Sequence, residues 1–537
     1  MTPPAVIVPL TEMRRLVESQ RSQEDEASGI DSGGGSGPSG VDRKFVRTCF
    51  FENERGDGRL FARLHRDKYL RVKAWDEKTG WLLWNGIHWT RDVRESVFLG
   101  VETVAQEFSR EYLAARDLRD QATEDGRGDE AKKLTSEMKE IRRRVEGLRG
   151  LRRAKACLEW AHKIGDESIA IVGDEIDQRP WLLPCANGVI DLKTGEVHPG
   201  RPDDLLVRAI PVQWHGMDAP RPTWDNFIRE IHQGDPELVS FVQRLLGYSL
   251  TGLTSEHFIA VLIGEGRNGK GTMLETVKAI MGELAWSIQS DLLMEQKNPR
   301  STAGPSPDII SFKGVRLAIA SETDKHAKIS PARVKLFTGG DTLCGRAPHD
   351  RFEINFRPTH TLVLATNHAP AGLTKDFALL KRLLYIHYPL KFVDDPDKND
   401  PTQKQRDPEL VERLRDEYPG ILAWLVEGCL LWQRDGLSPP ARIRADIEEL
   451  RLSEDHLQQF LNECCSLHDP EATIGFGELY GCFRKWYHET KDDRPSFTPT
   501  KNSIGRELTK KGIKRNNTGD RKVFGLKITD PELLYAH

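Results

Sequence analysis

Residues 258–274 read FIAVLIGEGRNGKGTML. The run Phe258 to Ile263 is apolar and of strand length, glycines interrupt it at Gly264, Gly266 and Gly269, and a helical pattern resumes after Lys270. Strand, glycine loop and helix in that order form a setting in which a backbone can wrap a phosphate. Glycines let the chain turn its N–H groups inward, a lysine reaches the β- and γ-phosphate oxygens, and the next helix adds the partial positive charge of its N-terminus. The spacing Gly264-x-x-x-x-Gly269-Lys270 thus predicts an ATP-binding loop made of Gly264, Glu265, Gly266, Arg267, Asn268, Gly269, Lys270, Gly271 and Thr272. The competing reading is a purely structural glycine turn. Gly271 stands where Ser or Thr normally follows the lysine, so Thr272 is the candidate to hold Mg2+, directly or through water.

Two further apolar runs end in polar residues. VRLAIASE (315–322) predicts a buried strand ending in Ser321-Glu322. Glu322 would polarise an attacking water, and it or Ser321 would help hold Mg2+. HTLVLATN (360–367) predicts a strand parallel to that one, with Asn367 placed either to sense a γ-phosphate or simply to start the turn before Pro370. Arg382, in the pair Lys381-Arg382, suits a finger that neutralises transition-state charge on a neighbouring subunit's nucleotide, or an ordinary surface ion pair. Between the strands lies KLFTGGDTLCGRAPHDRFEINFRPTH (335–360), where Lys335, Arg346, His349, Arg351 and Arg357 gather. Gly339-Gly340 and the alternation Phe352, Ile354, Phe356 predict a hairpin, and a basic hairpin on an ATPase core is suited to tracking a DNA backbone.

The rest of the chain sets bounds. With 537 residues, 38% hydrophobic and 30% charged, roughly two to four soluble domains are expected. A net charge of -4 leaves nucleic-acid contact to local basic patches. The eight cysteines form no C-x-x-C pair, which argues against a zinc ribbon or a disulfide framework; Cys464, Cys465 and His468 read as core packing. Without a membrane-length apolar run, the expected place of action is the cytoplasm, where ATP is.

Residues 1–42 end in SGIDSGGGSGPSG and read as a disordered tail. WLLWNGIHW (81–89) predicts a hairpin about Asn85-Gly86, its tryptophans packed or offered to stacked bases. Residues 98–164 read as helices interrupted near Glu124–Asp129. Their second half carries Arg142, Arg143, Arg144, Arg149, Arg152, Arg153 and Lys155, either a solvated face with internal pairs or a contact to DNA phosphates. Short strands with turns at Asn187-Gly188 and Thr194-Gly195 are expected over 181–212, and helix over 223–250.

In order along the chain, GEGRNGKG, ASE, KLFTGGD, a strand ending TN, and KR resemble superfamily 3 helicases. The nearer resemblance is to the phage and plasmid helicase–primase branch, which includes the poxvirus replicative helicase–primase. NGVIDLKTGEV, PELVSFVQRLLGYSLTG and WLLWNGIHW look like that branch's domain before the motor, so the resemblance covers roughly residues 50 to 400. It implies an α/β fold: an AAA+-like P-loop ATPase core over 223–400, preceded by a mixed α+β region over 43–222. A helical extension would follow over 401–455, then a winged-helix domain over 456–537. It further implies a hexameric ring on single-stranded or forked DNA, driven by ATP and Mg2+. Lys270 and Glu322 would be catalytic, Asn367 the sensor and Arg382 the finger, while Lys335 and Gly339-Gly340-Asp341 would belong to the DNA-contacting motif.

The helices Phe476–Trp486 and Ser503–Lys511, a turn at Gly519-Asp520 and a strand through Val523–Ile528 resemble the family's winged helix, made basic by Lys501, Arg506, Lys510, Lys511, Lys514, Arg515, Arg521 and Lys522. A small solvated helical cap is the plainer alternative. Family members often begin with a primase–polymerase domain. The short stretch before Trp81 leaves no room for one, so a separate primase is expected as partner. The expected function is a replicative DNA helicase of a phage, plasmid or integrated element. The alternative is an origin-binding initiator that uses ATP only to assemble on DNA, and a complete hydrolysis set argues against it.

Overall fold

The computed structural model describes residues 41–75, 80–295, 306–321, 328–346, 353–368, 376–454, 456–467, 471–490, 500–516, 521–530 and 533. Glu322, His349, Arg351, His468, Gly519, Asp520 and the tail up to residue 40 lie outside them. The chain divides into two units, one formed by residues up to Trp84 with Thr90–Glu175, the other by Asn85–Trp89 with Ile176 onward.

In the first unit Asp42 caps helix α1 (Arg43–Phe51) by accepting from the Lys44 N–H. Then follow α2 (Asn53–His65), β1 (Tyr69–Val72), β2 (Trp81–Trp84), β3 (Trp89–Arg91), α3 (Val97–Glu124), α4 (Gly128–Leu148), α5 (Leu151–Ala161) and β4 (Ala170–Ile171). The strand order is β3-β2-β1-β4. The expected turn is made by Gly86 at φ +97°, a backbone conformation that favours glycine. Trp89, which belongs with the second unit, is 1% exposed and donates its indole N–H to Pro202 O of that same unit at 2.9 Å, so that ring is packed and not offered to a base.

The helical break falls where expected, between Glu124 and Gly128. Much of the arginine run on α4 and α5 is turned inward or paired. Arg144 and Arg153 both grip Asp57 of α2, at 2.7 and 2.8 Å, and the Asp57 carboxylate is fully buried. Arg149 pairs with Glu102 and Arg142 with Glu146. Burial pushes the Asp57 carboxyl up from its usual range, and the two guanidiniums oppose that shift.

The second unit begins with an antiparallel meander, β5 (Leu182–Cys185), β6 (Gly188–Asp191) and β7 (Glu196–His198), with turns at the two predicted dipeptides. Two helices, α6 (Pro222–Ile231) and α7 (Pro236–Ser249), precede β8 (Ile259–Ile263). After it come α8 (Lys270–Met281), β9 (Ala285–Gln289), β10 (Leu317–Ser321), α9 (Pro331–Thr338), the hairpin β11 (Leu343–Gly345) and β12 (Ile354–Phe356), β13 (Thr361–Thr366) and β14 (Leu383–His387). A five-stranded sheet in the order β14-β8-β13-β10-β9 is parallel throughout. Every β8 side chain is buried, as befits a parallel strand covered on both faces. Trp224, Phe241, Leu245, Leu262 and Val277 share one core with α11, the second of the helices α10 (Leu410–Asp416) and α11 (Tyr418–Asp435).

A separate core toward the C-terminus joins α13, α14 and α15. Its elements are α13 (His456–Cys464), β17 (Cys465–Ser466), β18 (Thr473–Gly475), α14 (Phe476–Thr490), α15 (Lys501–Lys510), β19 (Lys522–Phe524) and β20 (Lys527–Ile528), whereas the preceding α12 (Ala441–Glu454) sends Ile443 into the core it shares with Trp224 and Leu262. The single strand expected through Val523–Ile528 is two. Gly525, at φ +75°, breaks it, so that β19 pairs with β18 and β20 with β17.

The Asp57 carboxylate is fully buried between two guanidiniums. Asp57→Ala leaves Arg144 and Arg153 without their counter-ion and should lower the unfolding free energy by about 3–5 kcal/mol. Urea titration followed by circular dichroism measures this; a loss below about 1 kcal/mol, the scale of a surface pair, would contradict the assignment.

Candidate nucleotide-binding site

The parallel register places every strand's carboxyl end on one edge of the sheet. Ile259 pairs across to Leu362 and Leu383, and Leu317 to Thr361. Gly264 therefore leaves β8 beside Asn367, which leaves β13, and Gly264 N–H donates to Thr366 O at 3.3 Å. Ser321 closes β10 one strand further over, with β13 between, as the sequence predicts for adjacent strands. The carboxyl edge of a parallel sheet is where open α/β sheets bind ligands.

The loop's shape follows from where its glycines sit. A Cβ on Gly264, at φ +155°, would lie 2.2 Å from Tyr388 O and 2.6 Å from Asn268 Nδ2. A Cβ on Gly269, at φ +87°, would lie 2.5 Å from Ile231 Cγ2. Glu265, Gly266 and Arg267 are exposed, and Arg267 turns through φ +65°. Arg267 O accepts from the Phe392 N–H at 2.7 Å, in β15 (Lys391–Val393), which pairs with β16 (Gln403–Gln405). Asn268 is buried and its Oδ1 accepts from the Lys270 N–H at 3.4 Å.

Lys270 opens α8 and folds back across the loop. Its side chain is buried and Nζ donates to Gly264 O at 2.5 Å. Among the described residues no carboxylate offsets it, and burial draws the ammonium down to about 8. Thr272 stands half-buried in the first turn of α8, Gly271 is exposed there, and Ser321 is exposed at the end of β10. The Thr272 and Ser321 hydroxyl oxygens are of the ligand type that Mg2+, a hard cation, takes alongside several waters.

Other expected site residues are elsewhere. Arg382 immediately precedes β14, so it lies at the amino edge, a strand's length or roughly 15 Å from the loop. Its Nη1 donates to Ala378 O at 3.1 Å, and its Nε is buried with no hydrogen-bond partner among the described residues. The β11–β12 hairpin is present at that same amino edge, since α9 ends against His257, just before β8. Lys335 on α9 is ion-paired with Asp376 at 2.9 Å. Arg346 follows β11, and its backbone is fastened to Ser306 at 2.9 and 3.1 Å. Glu322, His349 and Arg351 fall outside the described residues. His232 and Tyr388, which bond to each other beside the loop, were missed in the sequence, where neither belongs to a motif.

Residues 58–233 match the family model described as D5 N terminal like. A protein of Acanthamoeba polyphaga mimivirus named "Putative helicase L207/L206" is 28% identical over 324 residues, 58% of this chain and 33% of that protein. "Putative helicase 184R" of Invertebrate iridescent virus 6 is 22% identical over 508 residues, 84% of this chain and 51% of that one. "Putative primase C962R" of African swine fever virus (isolate Tick/Malawi/Lil 20-1/1983) is 22% identical over 329 residues, 58% of this chain and 34% of that one. The chain thus spans about a third to a half of these relatives. Among solved structures, the NrS-1 C terminal region overlays with TM-score 0.35 and 13% identity over 59% of this chain and 75% of that one, too loosely to inform the fold. No helix among the described residues is long and apolar enough to cross a membrane.

The depressed Lys270 gives a signed prediction. Folding takes an ammonium that titrates near 10.5 to one that titrates at about 8. The folded state therefore bears a penalty that is full below pH 8 and vanishes as pH rises through 10.5, because the unfolded chain binds the extra proton in that window. Lys270→Met removes the penalty. The nucleotide-free variant should melt above wild type at pH 7, with the difference narrowing from pH 8 upward in calorimetry. A variant that melts lower at pH 7 would contradict the buried, uncompensated lysine.

Proposed function

We propose that this chain, which belongs to the poxvirus-like helicase–primase family by its D5 N terminal like domain and its relatives among large DNA viruses, is an ATP-hydrolysing DNA helicase of the superfamily 3 type. The observation that carries the reading is the glycine loop at the carboxyl edge, with buried Lys270 Nζ on Gly264 O and both flanking glycines denied a side chain.

In this reading the β- and γ-phosphates lie over Gly264–Thr272, where they draw the Lys270 ammonium off Gly264 O and give it an anionic partner. The first-turn N–H groups of α8 add to that field. Thr272 and Ser321 hold Mg2+ through hydroxyl or water, and Mg2+ spreads charge over the phosphate oxygens. Glu322, next in the chain after Ser321, polarises the attacking water, and Asn367 orients it. Arg382 cannot reach its own loop from the amino edge, so it serves a neighbour's nucleotide in a head-to-tail hexameric ring.

The β11–β12 hairpin, with Lys335, Arg346, His349 and Arg351, follows single-stranded or forked DNA. The C-terminal region supports a winged helix: α13, β18, α14 and α15 occur in that order, and Arg515 bridges to Val523 of β19. We divide the chain accordingly into an N-terminal region to 222, an ATPase core over 223–400, a helical extension to 455 and a DNA-binding domain beyond. Replication of a mobile or viral genome, with a separate primase, is the setting this suits.

Unwinding of a labelled fork by the purified chain with ATP and Mg2+ tests the reading. Lys270→Ala should lower both strand separation and ATP turnover by about a hundredfold or more, the scale of losing one preorganised charge contact in a phosphoryl-transfer site. Normal turnover in Lys270→Ala would sink the site. ATP turnover stimulated by DNA without strand separation would select the origin-binding initiator instead.

A further inference from the structure

We propose that His232 and Tyr388 are positioning residues for the nucleotide loop, so that the last turn of the D5 N-terminal-like region sets the loop's shape. This rests on reading Gly264–Thr272 as the nucleotide site. His232 ends α6 and is almost fully buried, as is Tyr388, the first residue after β14. His232 Nδ1 lies 2.8 Å from Ile228 O. A carbonyl only accepts, so Nδ1 carries the proton and Nε2 is left to accept from the Tyr388 hydroxyl at 3.2 Å. Burial, which holds His232 down to about 4, keeps that neutral form in place across working pH.

The Tyr388 backbone is what the loop leans on. Its N–H donates to Ile263 O at 2.7 Å. Its carbonyl takes the Asn268 amide at 3.5 Å and is the atom that closes off a Cβ at Gly264. Asn268 in turn accepts the Lys270 N–H. One residue before His232, Ile231 closes off Gly269. Two consecutive residues at the end of α6 thus buttress both ends of the loop, Gly269 by direct contact and Gly264 through Tyr388.

Packing alone does not call for this polar pair. The Tyr388 ring borders a small void lined by Leu245, Leu246, Leu262, Met273 and Ile386, all apolar. Burying a hydroxyl and the free imidazole nitrogen among such residues costs free energy unless they are bonded, and besides His232 Nε2 the hydroxyl has only the weak acceptor Met273 Sδ, at 3.8 Å, among the described residues. What the pair adds over Phe and Leu is one fixed orientation of Tyr388, and with it a fixed carbonyl beneath Gly264 and Asn268.

The test uses the full chain, a fluorescent ATP analogue with Mg2+, and melting without nucleotide. Tyr388→Phe keeps the ring and removes the bond; it should raise the analogue's Kd by about three- to tenfold, the size of one net hydrogen bond. Its nucleotide-free melting temperature should fall by no more than the few degrees that a buried Nε2 left without its donor costs, so the glutamine rescue is what separates positioning from general loosening. His232→Leu should match it, His232→Gln should restore affinity by offering Oε1 to the hydroxyl, and Tyr388→Phe with His232→Leu should be no worse than either alone.

Wild-type affinity in Tyr388→Phe overturns the proposal. So does a loss of affinity that tracks a fall in melting temperature and is not restored by glutamine. Lys270→Ala separates the two levels of the argument. If it loses the analogue while Tyr388→Phe does not, only the positioning role falls; if it too binds like wild type, the loop assignment falls.

Discussion

A loop between Gly264 and Gly269 that has no room for a side chain at either end is the constraint on which the second unit is built. At one end Tyr388 O, just past the sheet's strand β14, occupies the space; at the other Ile231 does, from the end of helix α6. Backbone N–H groups can then line the loop's inside, where a Cβ would otherwise stand. Lys270 completes the arrangement at a cost, because its ammonium is buried against the Gly264 carbonyl with no counter-charge among the described residues. A site that binds an anion tolerates such a penalty, since the ligand removes it.

The parallel sheet divides the unit's chemistry between two edges. Gly264, Ser321 and Asn367 are gathered at the carboxyl edge, and Arg382 and the β11–β12 hairpin stand at the amino edge. Arg316 fastens that amino edge. Fully enclosed, it donates to the carbonyls of Leu250, Leu182 and Arg179, and burial draws its guanidinium down to about 10, against the opposing charge of Asp177. β14 spans the two edges, beginning just after Arg382 and ending just before Tyr388. Under the proposed reading a subunit's own nucleotide and the arginine it offers a neighbour are therefore attached to opposite ends of one strand.

What could be read in the sequence was local in chain distance. The strand, loop and helix around Lys270, the hairpins at Asn85-Gly86 and Gly188, and the break after Glu124 all depend on residues within a few positions of one another, and all are present. Pairings between distant residues could not be read. The arginines of α4 and α5 look like a solvated or DNA-facing run until Asp57, 87 residues before Arg144, is seen between two of them. His232 and Tyr388 are 156 residues apart and carry no motif. Gly525 splits a strand whose alternation gives no warning, because a glycine's left-handed turn leaves no mark on hydrophobic periodicity. Glu322, His349 and Arg351 remain expectations of the sequence.

The separation of Arg382 from its own loop makes the central claim testable by mixing. Arg382→Ala and Lys270→Ala chains should each lack ATP turnover alone. Combined in equal amounts before assembly on DNA, they should recover activity, because about a quarter of head-to-tail interfaces pair an intact loop with an intact arginine. Cooperation around the ring would lower that fraction without abolishing it. Recovery of turnover is the result expected for an arginine that acts across subunits. No recovery from verified mixed assemblies, or full activity in Arg382→Ala alone, would contradict it.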